Sequence, residues 1–243
     1  MRVPRIYVDS LIKPDADFFL TGNALKHVSK VLRLRAGAEV LLFDGTGGEW
    51  RATLETVHSD HAQARLLEHL DINPEAPLRW ELVQGISRGE RMDYTLQKSV
   101  ELGVAAIHPV ETKRTVVKLD ADRAAKRRAH WQGVVTSAAE QSGRTRLPSV
   151  SEITSLHEFL SNHSDGLLLL LDPEAEKHVD DLPVESPERV FLLAGPEGGF
   201  EDAEREAIYR AGAQGIRLGP RILRTETAAV VAAALLLARW GDY

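Results

Sequence analysis

Leu192-Leu193-Ala194-Gly195-Pro196-Glu197-Gly198-Gly199-Phe200, followed by Glu201-Asp202, is the stretch whose reading decides the fold. An apolar run stops at Ala194, three glycines flank a Pro-Glu pair, and Glu201–Ala211 carries helical spacing. Strand, glycine-rich loop and helix in that order make one unit of an α/β sheet. Glycine lets a backbone come close to a ligand and take φ values closed to other residues. A bare strand-to-helix turn would use the same residues. The two acids opening the helix already complement its dipole, which disfavours a phosphate there and suits a ligand with a positive centre.

Downstream, Leu218-Gly219-Pro220-Arg221-Ile222-Leu223-Arg224-Thr225-Glu226-Thr227-Ala228 repeats the pattern after a short strand at Gly215–Leu218. Thr225 or Glu226 can cap the helix Thr225–Arg239 that follows. Capping leaves two arginines among apolar neighbours unexplained. From Ala228 to Leu237 this helix is apolar all round, so burial on every side, by chain or by a second subunit, is expected. Upstream, strands are expected at Leu78–Gly85, Ala105–Val110, Gly166–Leu171 and Arg189–Ala194, and helices at Arg91–Leu102 and Asp122–Ser142. The alternation predicts a mostly parallel sheet.

The first seventy residues follow another rhythm. Short strands are expected at Arg5–Val8, Phe18–Leu20, Glu39–Phe43, Glu49–Thr56 and Gln63–Leu67, with one helix at Asn23–Leu32. Asp44-Gly45-Thr46-Gly47-Gly48 sits between two apolar-alternating runs, as a hairpin loop does. This is a small β-barrel pattern over residues 1–71. Residues 72–77 hold two prolines and read as a linker, leaving 78–243 as the α/β domain.

The chain has 243 residues, 43% hydrophobic and 27% charged, an ordinary globular composition. The most apolar stretch, Ala228–Ala238, is too short to cross a bilayer, and the N-terminus lacks the apolar core of a secretory signal. No membrane association and a cytoplasmic location are expected. There is no cysteine, which removes disulfides, thiolate metal sites and thiol-adduct chemistry. His58 and His61 lack further ligands nearby, so no metal is expected. Net charge is −6, yet residues 79–146 carry 13 Lys/Arg against 8 Asp/Glu, while 172–206 carry 3 against 12. That asymmetry allows a basic face on an acidic protein, or two merely solvated surfaces.

Phosphate-loop, dinucleotide, zinc-protease and EF-hand signatures are absent. Gly85-Ile86-Ser87-Arg88-Gly89 matches the spacing of a serine-hydrolase elbow. Those enzymes place the elbow well into a large sheet, after an oxyanion-hole loop, whereas this one follows its domain's first strand. A serine hydrolase and a noncatalytic RNA-binding module remain the alternatives from other classes.

Gly195–Gly199 (GPEGG) and Leu218–Ala228 (LGPRILRTETA) together resemble the RsmE family of SPOUT-class RNA methyltransferases. The resemblance spans the chain: MRVPRIY at residues 1–7, FDGTGGEW at 43–50, SRGERMDYTLQKSVELGV at 87–104, EQSGR at 140–144 and WGDY at 240–243 follow in register. It implies a PUA-like β-barrel before an α/β methyltransferase domain with a deep C-terminal trefoil knot. The implied activity is S-adenosylmethionine-dependent methylation of N3 of one uridine in 16S rRNA, within the assembled small ribosomal subunit, during ribosome maturation. The protein would be a homodimer, with the last helix at its interface.

The family's cofactor site falls on Leu171, on Gly195, Pro196, Glu197, Gly198 and Gly199, and on Leu218 and Gly219. It continues through Ile222, Leu223, Arg224, Thr225, Glu226, Thr227 and Ala228. The implied catalytic candidates are Glu140, Arg144, Arg221 and Arg224, arginine suiting negative charge on a pyrimidine because it stays protonated and offers planar donors. Arg2, Arg5, Arg88, Arg123, Lys126, Arg127 and Arg128 are the expected RNA contacts. Ser87 becomes part of an SRGE segment, with no nucleophilic role.

Overall fold

The computed structural model describes residues 3–14, 17–115 and 120–243. The chain divides into two compact units: Met1–Glu75 with Ala139–Leu147, and Ala76–Ala138 with Pro148–Tyr243. The expected domain limits missed the excursion at 139–147, because that segment continues a helix whose periodicity does not change where its neighbours do.

In the first unit, β1 (Arg5–Tyr7), β2 (Phe18–Leu20), β3 (Glu39–Phe43), β4 (Glu49–Val57) and β5 (Ala62–Leu70) form one sheet in the order β1-β3-β4-β5-β2. Among the described residues, β1 and β3 pair in parallel and the other pairs are antiparallel. Period-two alternation puts Val40, Leu42, Ala52, Leu54, Ala62 and Ala64 on one face. Leu25 of α1 (Gly22–Lys26) and Val28 of the π-helical turn after it (His27–Val31) complete this core. The expected single helix at Asn23–Leu32 is thus two unlike pieces. The β3–β4 turn holds Gly45 at φ 83° and Gly48 at φ 67°, values that favour glycine.

The second unit contains β6 (Trp80–Gly85), α2 (Glu90–Glu101), β7 (Ala106–Glu111), α3 (Ala121–Ser142), β8 (Ser149–Val150), β9 (Thr154–Ser155) and α4 (Leu156–Asn162). It continues with β10 (Leu167–Leu171), a 3-10 turn (Val179–Asp181), β11 (Val190–Ala194), α5 (Asp202–Arg210), β12 (Gln214–Ile216) and α6 (Thr225–Trp240). Residues 139–142 of α3 cluster with the first unit. All strands pair in parallel, in the order β12-β10-β11-β6-β7-β8, with β9 also on β7. The central strands are buried almost throughout, as strands covered on both faces must be.

α6 packs on α2, β10 and β11. Ala229, Ala232, Ala233, Leu236 and Leu237 are buried, whereas Thr227, Leu235 and Ala238 are exposed and Val231 and Ala234 half-buried. The expectation of burial on every side therefore fails for the single chain: one stripe at helical spacing stays uncovered. No helix among the described residues is long and apolar enough to cross a membrane.

Candidate functional site

Three segments meet where β10 and β11 end: Leu171 with Pro173, Ala194–Gly199, and Ile222–Glu226 with Ala228. With Arg91 of α2 they line a cleft of about 440 Å³, which is within the roughly 300–1,000 Å³ of small-molecule sites. The carboxyl ends of parallel strands are the usual place for such a cleft.

Gln84 holds two walls of the cleft together. It is fully buried at the end of β6. Its Nε2 donates to Gly85 O at 2.9 Å, to Thr225 Oγ1 at 3.0 Å and to Gly195 O at 3.2 Å. Its Oε1 has no hydrogen-bond partner. Gly85 is glycine because a Cβ there would stand 2.4 Å from Pro196 Cδ and 2.6 Å from Pro196 N. Further out, Arg114 Nη1 donates to Gly198 O at 2.6 Å.

The third wall is set by Asp172, buried just after β10. It accepts Tyr209 Oη at 2.7 Å and the Glu174 N–H at 3.0 Å. Burial, and then the bond to Asp172, push the Tyr209 hydroxyl up to about 12.

Two carboxylates line the cleft. Glu197 Oε1 accepts the Arg88 N–H at 2.9 Å and Arg91 Nη1 at 3.2 Å. Burial alone would raise its carboxyl, but these bonds outweigh it and hold Glu197 below the ordinary glutamate range. Glu226 Oε1 lies 4.0 Å from Arg91 Nε, and Glu226 Oε2 is buried without a hydrogen-bond partner.

Of the expected cofactor residues, Leu171, Gly195–Gly199, Ile222–Glu226 and Ala228 come together here. Leu218, Gly219 and Thr227 are not among the described lining residues, nor is Arg221. Gln84, Arg91, Pro173 and Ala194 were missed. Gln84 carried no local signal, since its strand also holds Glu81 and its partners lie far away in sequence.

Glu140 and Arg144 fall in the first unit and are engaged there. Glu140 accepts the Tyr7 N–H at 3.0 Å and lies 3.3 Å from His27 Nδ1, and burial raises its carboxyl. Arg144, 6% exposed, pairs with Glu75 through Nε at 2.9 Å and Nη2 at 2.5 Å. Arg5, expected on the RNA surface, is instead buried. It pairs with Glu49 at 2.7 Å, donates to the Ala139, Glu140 and Arg144 carbonyls and lies over the Phe43 ring.

Arg2 lies outside the described residues. Arg88, Arg123, Lys126 and Arg128 are exposed and Arg127 is half-buried. Arg128 also donates to Val150 O at 2.9 Å. Ser87 is buried, its hydroxyl 3.4 Å from Gly85 O, which leaves the elbow reading without a reachable nucleophile.

The sequence matches two family models, an RNA methyltransferase domain over residues 74–237 and an RNA methyltransferase PUA domain over residues 20–67. Ribosomal RNA small subunit methyltransferase E of Bacillus subtilis is 32% identical over 225 residues, 88% of this chain and 87% of its own. The crystal structure of the Neisseria gonorrhoeae protein of that name, bound to S-adenosyl methionine, superposes with a TM-score of 0.94 at 41% identity over 99% of both chains. A Legionella pneumophila protein solved with the bound cofactor SAM gives a TM-score of 0.95 at 40% identity over the whole of both chains.

Proposed function

The chain belongs to the ribosomal RNA small subunit methyltransferase E family of RNA methyltransferases, and on that premise we propose that it moves a methyl group from S-adenosylmethionine to N3 of one uridine in 16S rRNA. The observation that carries this reading is the cleft built from Leu171, the Gly195–Gly199 loop and the start of α6, in a chain that matches two cofactor-bound relatives end to end.

The residues present fit the cofactor. Leu171, Ile222, Leu223 and Ala228 offer apolar walls for a flat base, and the glycine loop exposes backbone groups to a nucleoside. When bound, S-adenosylmethionine supplies an electrophilic methyl group on a positively charged sulfur. N3 of uridine carries an imide proton and is a poor nucleophile until that proton leaves. The protein's work is to hold N3 in line with the methyl group, exclude water and favour negative charge on the pyrimidine oxygens. Arg224, on the cleft wall, suits the last task; Arg221, outside the lining, suits a phosphate.

Lys126, Arg127 and Arg123 on α3, with Arg88, would hold folded RNA by phosphate contact and shape. The uncovered α6 stripe at Thr227, Val231, Ala234, Leu235 and Ala238 supports a homodimer joined through that helix. The family resemblance supports a trefoil knot around α6, a cytoplasmic location and the assembled small subunit as substrate. The test is mass spectrometry of nucleosides after incubating purified protein, S-adenosylmethionine and unmethylated small subunits. N3-methyluridine is expected; an N1- or C5-methylated product overturns the reading.

A further inference from the structure

The two cleft carboxylates differ in what they are free to do. Glu197 is committed to the Arg88 amide and the Arg91 guanidinium, and these bonds depress its carboxyl, so it is a weak proton acceptor. Glu226 Oε1 is too far from Arg91 Nε for a hydrogen bond. Its Oε2 is buried and has no donor. A carboxylate in the first turn of a helix is ordinary, because the dipole favours it. The dipole does not account for an oxygen turned away from water and left unpaired, which is costly. The neighbouring Thr225 side chain is itself engaged with Gly195 and Gln84 and offers Glu226 no donor.

We propose that Glu226 accepts the N3 proton of the target uridine, an inference that rests on the N3-methylation reading above. The N3–H bond breaks and the proton passes to Glu226 Oε1, the oxygen open to the cleft, as the N3–CH3 bond forms and the S–CH3 bond breaks. Charge balances: a carboxylate, a sulfonium and a neutral uridine become a carboxylic acid, a thioether and neutral N3-methyluridine. The carboxylic acid then returns its proton to water. N3 becomes strongly acidic as it acquires the methyl group, which drives the transfer to a neighbouring carboxylate. Positioned proton acceptors are worth roughly 10²–10⁴-fold in rate.

The test is Glu226→Gln, which keeps the shape of the side chain, with Glu226→Asp as a second variant that keeps the carboxylate. Turnover of Glu226→Gln at pH 7 should fall roughly 10²–10⁴-fold. Because Glu226 also lines the cofactor cleft, the variant's cofactor Kd by calorimetry should rise far less than turnover falls. Its rate should climb with pH toward that of wild type, because a uridine already ionised at N3 needs no acceptor. Glu226→Asp should retain part of the rate at pH 7. The proposal is overturned by wild-type turnover in Glu226→Gln, by a loss of rate matched by weaker cofactor binding, or by a loss that alkaline pH does not restore. If the wild-type protein makes no N3-methyluridine, the functional reading itself falls and the proposal with it.

Discussion

Thr225 Oγ1 donates a 2.6 Å hydrogen bond to the carbonyl of Gly195, tying the first residue of α6 to the loop after β11. Gln84 reaches both partners from below. The cleft is therefore held by side chains that need not touch a ligand, and its width depends on them.

Thr225→Val keeps the shape of the side chain and removes both bonds. At a net worth of about 0.5–1.5 kcal/mol per hydrogen bond, cofactor Kd should rise by roughly tenfold, about 1.4 kcal/mol, with the fold retained. Gln84→Leu should weaken binding as well, since it removes the bonds to Gly195 and Thr225 and leaves the direct Thr225–Gly195 bond alone to join the walls. Calorimetry on the two variants is the check; unchanged affinity in both would detach this brace from the cofactor site.

Gly85 and Gly198 should respond differently to alanine. At Gly85 the new methyl would stand 2.4 Å from the Pro196 ring, with backbone behind it. Either the strand end or the glycine loop must move, and overpacking of this kind costs about 1–3 kcal/mol. At Gly198 the nearest atoms, at 3.1 Å and 3.2 Å, belong to the Arg114 side chain, which is able to move aside. Gly85→Ala should lower both thermal stability and cofactor affinity, and Gly198→Ala should change either much less.

Those two glycines mark where the sequence was and was not legible. The β11–loop–α5 unit stood out because apolar runs, glycines and helical spacing are local signals. The parallel sheet followed from repetition of that pattern. What local signals cannot carry is the partner of a buried polar group. Arg5, Glu140 and Arg144 looked like free charges, yet each is matched by residues far away in sequence, as Arg144 is by Glu75. Gln84 was unreadable for the same reason, its partners lying at positions 195 and 225. The two-residue strands β8 and β9 are too short to show any period.

Glu81 gives the second unit a pH dependence with a definite sign. Its carboxyl is buried, which by itself would raise its pKa. Hydrogen bonds from His108 at 2.8 Å and Arg79 at 3.0 Å, with Arg189 nearby, outweigh burial and hold it below 4.5. A lowered folded value stabilises the fold above the unfolded one, and that contribution is lost as pH falls through the folded value. Thermal unfolding between neutral pH and acid below 4.5 should show wild type losing stability on the acid side. Glu81→Gln should be less stable at pH 7 and should lack that part of the acid loss. Parallel curves for the two proteins would contradict this assignment.

Arg144→Ala should act on the first unit's fold before it acts on chemistry. Both oxygens of Glu75 are engaged by the same turn: Oε2 takes the Arg144 guanidinium, and Oε1 takes the backbone N–H groups of Thr145 at 3.1 Å and Arg146 at 3.0 Å. The Arg144 carbonyl in turn accepts Arg5 Nη2 at 2.9 Å. Both side chains of the pair are nearly buried, 7% and 12% exposed, and removing one partner of such a pair costs about 3–5 kcal/mol. Denaturant unfolding should therefore show a loss of that order for Arg144→Ala, and a comparable loss for Glu75→Ala. Turnover, normalised to the folded fraction, should fall to a similar extent in both variants, because both lose the same brace. A guanidinium acting directly on the uridine would make Arg144→Ala far slower than Glu75→Ala at equal stability, and that outcome would return Arg144 to the reaction.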